Sequence, residues 1–404
     1  MTERICFYLR GPLLVFLALL LFGMSANATE EPSAQQPATE EAPTPDFSSL
    51  TDLLNSAAAS LDGASLLLIK DGQVVCEQSV GNMSPDKPVA IASASKWLTA
   101  AVVMTLVDDG RIVLDDPVAK YLPAFNGGKA GITIRELLSH TSGLPDYAPC
   151  LDNRQSTLAQ SAVDIAQGPL IYDPGTEFYY GGLGSQVAGA VAEVASGKPW
   201  AQLFAERLQG PLGMTNTTYG SSANPVLAGG VISTARDYAR FLQMFLDDGR
   251  YGGRQILSPK AVHEMMSDQT NGVPIVVSVH SDGRRYGLGV WRDLVDSQGN
   301  PIQLSSQGDT GFSPWIDRQR GLVGVFATED GLGSVYSLVG RMQEAARQAV
   351  DSAVKTVAVP SQSQASTTDE PDGMDKEQSA GIFRRLQGLK LWDRSLNGGG
   401  RFPQ

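Results

Sequence analysis

Residues 91–100 read IASASKWLTA, and the reading of this stretch decides the fold. From Ser93 to Asp109 the chain is dominated by apolar residues, and Gly110 supplies the left-handed position at which helices end. A helix over 93–109 is therefore predicted, with Ser93 in its first turn. Ser93 and Lys96 stand at i and i+3 on one face of that turn, so the amine reaches the hydroxyl. A lysine in a pocket poor in water can take the serine proton, and the Ser93 N–H, unpaired in a first helical turn, can donate to a developing oxyanion. Ser84 with Lys87 and Ser352 with Lys355 share the spacing. The first pair spans Pro85 in a turn and the second ends a helix, so neither offers the same geometry. Spacing alone leaves a second reading open, with Ser93 as a mere helix cap.

Upstream, Ala64 to Gly81 reads as two strands joined at Lys70-Asp71-Gly72, because Asp-Gly between β-rich runs marks a hairpin. Downstream, helices are predicted at Ile134–Leu138, Gly184–Ser196, Trp200–Leu208, Ala235–Leu246 and Pro259–Met266. Strands return at Tyr286–Trp291, Ile302–Ser306, Ser313–Asp317 and Leu322–Thr328, before a last helix at Val335–Ala353. Strands near both ends with a helical insertion between them give an α/β fold of two lobes. A cleft between lobes is the natural place for a site.

Residues 1–28 have the order of a secretory signal peptide. Arg4 and Arg10 precede an apolar run from Gly11 to Gly23, and Ala26-Asn27-Ala28 follows. The run is shorter than the roughly 20 residues of a spanning helix. Cleavage near Ala28 and a periplasmic or secreted product are expected; left uncleaved, the same run is a membrane anchor. Residues 29–46, rich in Pro, Glu, Ala and Thr, read as a flexible linker ahead of a domain at 47–355. Residues 356–404 read as a low-complexity tail with one amphipathic patch, GIFRRLQGLKLW, at 381–392.

A formal net charge of −12 argues against a nucleic-acid partner, which selects clustered Lys and Arg. Beyond the leader only Cys76 and Cys150 remain. An oxidising compartment allows them to pair, and two free thiols fit the sequence as well.

The runs LLSHTSGLP at 137–145, DPGTEFYYGG at 173–182 and AGGVISTARDYARFLQMFLDDG at 228–249 resemble the β-lactamase-related serine hydrolases. So do IASASKWLTA, PLGMTNTTYG at 211–220, YGLGVW at 286–291 and WIDRQRGLVGVF at 315–326. That family spans class C β-lactamases, peptidoglycan carboxypeptidases and several esterases. The resemblance covers about residues 50 to 350. It implies a β-lactamase/transpeptidase-like α+β fold, with an antiparallel sheet flanked by helices and a mostly helical lobe. It also implies an acyl-enzyme on Ser93, with Lys96 and Tyr180, rather than Tyr179, handling protons. The family form continues Tyr-Ser-Asn, where this chain has Tyr180-Gly181-Gly182, so the amide beside the substrate side chain is missing. The edge-strand element falls on Ser306-Gln307-Gly308, without its usual cation, and the second oxyanion donor falls on the N–H of Asp309.

The histidines are His140, His263 and His280. The resemblance gives His140 a structural role near the cleft; His263 sits on a surface-like helix and His280 in a polar loop. None has metal-ligand spacing, so no metal and no cofactor are expected. The substrate is a small acyl compound, an ester or amide, with carboxylic esters ahead of β-lactams and D-alanyl peptides. The alternatives are β-lactamase or D-alanyl-D-alanine carboxypeptidase activity, or a catalytically silent exported binding protein.

Overall fold

The structure is a computed structural model that describes residues 44–358. The expectations for the signal peptide, most of the linker and the tail fall outside the described residues. The frame is a six-stranded antiparallel sheet of β1 (Gly63–Lys70), β2 (Gln73–Gly81), β3 (Trp291–Val295), β4 (Pro301–Ser305), β5 (Ser313–Asp317) and β6 (Leu322–Thr328), in the order β2-β1-β6-β5-β4-β3. Asp71 and Gly72, with φ of 48° and 80°, make the β1–β2 turn that the Asp-Gly pair predicts.

Alternation along the central strands sends side chains to two cores. Leu66, Leu68, Leu322 and Phe326 face the terminal helices α1 (Ser48–Ala57) and α8 (Leu332–Ala358). Leu67, Ile69, Val323 and Val325 face the helical lobe. Both faces are covered, so these strands read as continuous apolar runs. The lobe is built from α2 (Ser95–Asp108), α3 (Ile134–Leu138), α4 (Leu158–Gln167), α5 (Leu183–Ser196), α6 (Ala235–Leu246) and α7 (Pro259–Met266), with a short helix at Trp200–Phe204 continuing through the wider turn Ala205–Gln209. Every residue of α2 from Ser95 to Leu106 is buried, as expected of a helix apolar all round.

Three expectations are corrected. The helix predicted from Ser93 begins at Ser95, after the tight turn Ala92–Ala94. YGLGVW is a loop rather than a strand: β3 starts at Trp291, because Gly289 turns with φ of 77° and lies so close to α2 that a Cβ would stand 2.6 Å from the Lys96 carbonyl oxygen. His280 is not a polar-loop histidine but is buried, edge-on to Trp291 at 4.6 Å and 3.0 Å from the Tyr336 hydroxyl. The sequence reading also missed α1 and α4. In α1 only Leu50 and Leu54 carry the buried face, at i and i+4, too short a pattern to stand out. Cys76 and Cys150 are buried free thiols, so of the two readings the unpaired one is observed.

Candidate active site

Ser93 lies in the tight turn that opens α2. The preceding residue, Ala92, has φ of 43°, a left-handed conformation that costs a non-glycine residue on the order of 1 kcal/mol. Three contacts hold it there. The Ile91 N–H donates to Val231 O at 3.0 Å, Ser95 Oγ accepts from the Val231 N–H at 3.2 Å, and the Tyr238 hydroxyl donates to Ala94 O at 2.7 Å. The Ser93 N–H itself has no acceptor among the described residues.

Lys96, one turn into α2, is 5% exposed. Its ammonium donates to Ser93 Oγ at 3.0 Å and to Ala228 O at 3.2 Å, and sits 4.6 Å from the centre of the Tyr180 ring. No carboxylate pairs with it among the described residues. A buried cation held only by a hydroxyl, a carbonyl and a ring face is expensive to keep, which marks the position as one selected for chemistry.

Tyr180 is gripped on both faces. Its ring stacks on Trp291 at 5.2 Å and packs against His140 at 4.6 Å, while its N–H donates to Val277 O at 3.0 Å. The Tyr180 hydroxyl has no partner among the described residues and is free to exchange a proton. His140 accepts the Gly181 N–H on Nδ1 at 3.4 Å. Burial, and then the Lys96 charge, hold its imidazole well below the usual histidine range, so it is neutral and positions Tyr180 rather than moving protons. His263 is exposed on α7.

The end of β4 closes the other side. Gly308 lies against the turn before Ser93, where a Cβ would overlap the Ile91 carbonyl oxygen. Asp309 follows, its N–H without an acceptor and its carbonyl accepting from the Leu332 N–H at 2.7 Å. The two N–H groups named from the sequence as oxyanion donors are thus both unpaired. Gln307 is buried with its amide oxygen unpartnered.

Two hydroxyls are committed to the backbone, one of them against expectation. Ser306, expected to contact substrate, is buried and shares its proton between Ser93 O and Gly289 O, each at 3.4 Å. Thr310 donates to Ala90 O at 2.7 Å. Both brace the turn carrying Ser93. Nearby arginines are likewise engaged: Arg284 with Asp282 and Asp293, Arg285 with Val273 O, Arg292 with Met266 O.

Gly182 caps α5, donating its N–H to Asp146 O at 2.9 Å. The sequence reading missed Ala228 and Trp291 as individual site residues, although both lie in quoted motifs; nothing local says that a carbonyl or an indole will face the lysine or the tyrosine. Among the described residues no group of three or more His, Cys, Asp or Glu is placed to hold a metal ion. The hollow between the Lys70–Gly72 and Arg318–Gly321 turns, about 850 Å³, lies at the far end of β6 from the site, since Thr328 at the near end touches Gly311.

The sequence pattern of the beta-lactamase family matches residues 50–346. The D-alanyl-D-alanine-carboxypeptidase/endopeptidase AmpH of Escherichia coli K12 is 29% identical over 323 residues, covering 69% of this chain and 81% of its own. The crystal structure of a beta-lactamase homologue from Bacteroides dorei DSM 17855 is 35% identical, with a TM-score of 0.69, covering 76% of this chain and all of its own. A family VIII carboxylesterase, at 21% identity and a TM-score of 0.61 over 75% of this chain and 97% of its own, shares the fold. A match running from α1 into α8, through the turn of Ser93 and the segment of Gly308 that follows β4, makes this chain a member of the beta-lactamase family.

Proposed function

We propose that this chain is an exported serine hydrolase that cleaves small carboxylic esters through an acyl-enzyme on Ser93. The observation that carries the reading is the contact of Lys96 Nζ with Ser93 Oγ at 3.0 Å beneath the Tyr180 ring. In the reacting form the Lys96–Tyr180 pair holds one proton fewer than an ammonium plus a hydroxyl, and the Ser93 proton fills that place as Oγ attacks the ester carbonyl. The oxyanion forms against the N–H groups of Ser93 and Asp309. As the C–O bond to the leaving group breaks, the Tyr180 hydroxyl returns the proton to the departing oxygen. Water then attacks the acyl-enzyme by the same route in reverse and restores Ser93.

The ester preference rests on what the cleft lacks. Lactams and D-alanyl peptides carry a carboxylate near the scissile bond, and such a group is normally received by a cation or by hydroxyl donors. Ser306 and Thr310 spend their protons on backbone carbonyls, and Arg284, Arg285 and Arg292 are engaged with other partners. Export rests on the order of residues 1–28. A fluorophosphonate probe that labels the wild type but not Ser93→Ala supports the hydrolase. An unlabelled wild type supports the silent binding protein instead.

A further inference from the structure

The missing asparagine has a replacement that sequence position conceals. Asp146, in the loop after HTSGLP, lies over Gly181 and Gly182. A Cβ on Gly181 would stand 2.6 Å from Asp146 Cα, so the family's serine does not fit beneath this loop. A Cβ on Gly182 would stand 3.0 Å from Asp146 O, 3.7 Å from Asp146 Oδ1 and 3.5 Å from Ala228 Cβ. The Asp146 carboxylate therefore borders the space that an asparagine side chain at Gly182 would enter. Ala228 continues the path inward, because its carbonyl accepts from the Lys96 ammonium at 3.2 Å. Two residues, Gly182 and Ala228, thus separate the Asp146 carboxylate from the amine beside Ser93. That carboxylate is exposed and makes no ion pair or hydrogen bond among the described residues.

We infer that Asp146 is the counter-ion for a cationic group on the substrate, so that the site selects amine-bearing acyl compounds over neutral ones of the same shape. This rests on the hydrolase reading above and names the substrate class of that site. The physical argument is one of exchange. A pair of glycines removes a neutral amide and admits a loop whose side chain is an anion, in a cleft where the Ser306 and Thr310 hydroxyls are committed to the backbone. An ammonium group supplies the charge that pairs with this carboxylate; a carboxylate meets repulsion.

The experiment uses the purified chain and two nitrophenyl esters: that of trimethylammoniobutyrate, and its isostere in which carbon replaces the cationic nitrogen. An exposed ion pair stabilises by up to about 1 kcal/mol, so the ratio of kcat/KM, cationic over neutral, is expected to fall about threefold to fivefold in Asp146→Asn. It should reverse in Asp146→Lys, and the wild-type ratio should shrink at high salt. The same ratio in wild type and Asp146→Asn overturns the inference while leaving the esterase standing. So does a ratio that moves with Asp309→Asn instead. Absence of turnover of both esters by the wild type overturns the hydrolase reading and the counter-ion together.

Discussion

Lys96 Nζ lies 3.0 Å from Ser93 Oγ, and the same ammonium is buried without a carboxylate partner among the described residues. Function and stability therefore pull in opposite directions at this residue. Lys96→Met keeps most of the side-chain volume and removes the buried charge, so thermal unfolding should shift upward or stay in place. Acylation should fall by about 10²-fold or more, the usual loss when a general base is removed, since the nearest histidine, His140, is held neutral behind Tyr180. Burst kinetics in parallel with a melting curve check both halves. Acylation at the wild-type rate removes Lys96 from the mechanism.

Tyr180→Phe deletes one hydroxyl and keeps the ring between Trp291 and His140. The hydroxyl has no partner among the described residues, so the stability change should stay within about 0.5 kcal/mol. Turnover should fall by about 10²-fold, because the leaving oxygen loses its acid. Undiminished turnover would transfer that role to another group.

Among substrates, a short-chain neutral nitrophenyl ester should give a higher kcat/KM than a chromogenic cephalosporin. The cephalosporin carboxylate would meet Ser306 and Thr310 already donating elsewhere, and the exposed acids Asp146 and Asp309 at the rim. Steady-state kinetics with both compounds on one preparation decides it, and a preference for the cephalosporin sinks the ester reading.

His280 supplies a pH dependence. Burial against Trp291, and then the Arg284 charge, push its pKa down from 6.5 to about 4. The folded state thus binds its proton more weakly than the unfolded chain does. The stability it contributes is complete above pH 6.5 and is lost as pH falls through about 4. For a shift of that size the loss is about 3 kcal/mol. His280→Phe should flatten the stability profile between those two pH values relative to wild type. His140 acts in the same direction, so the difference between the two profiles is the measurement. Parallel profiles would mean that His280 protonates freely in the folded protein.

How much was written locally follows from how each feature is made. The hairpin at Asp71-Gly72, the run of α2 and the i, i+3 placement of Ser93 and Lys96 depend on neighbours along the chain, and the sequence determined them. The motif around Tyr180 likewise pointed to Tyr180 rather than Tyr179 as the ring beside Lys96. Other features depend on segments far apart in sequence coming to lie side by side, and only the tertiary structure decided them. YGLGVW reads as a strand until Gly289 is pressed against α2, and His280 reads as a loop residue until Trp291 and Tyr336 enclose it. Ser306 looks like a ligand donor until the carbonyls of Ser93 and Gly289 take its proton. Gly181-Gly182 looks like a deletion of function until the Asp146 loop fills the space above it. A hydroxyl or a glycine carries no local record of its partner, because hydrogen bonds and close approaches are satisfied in space rather than along the chain.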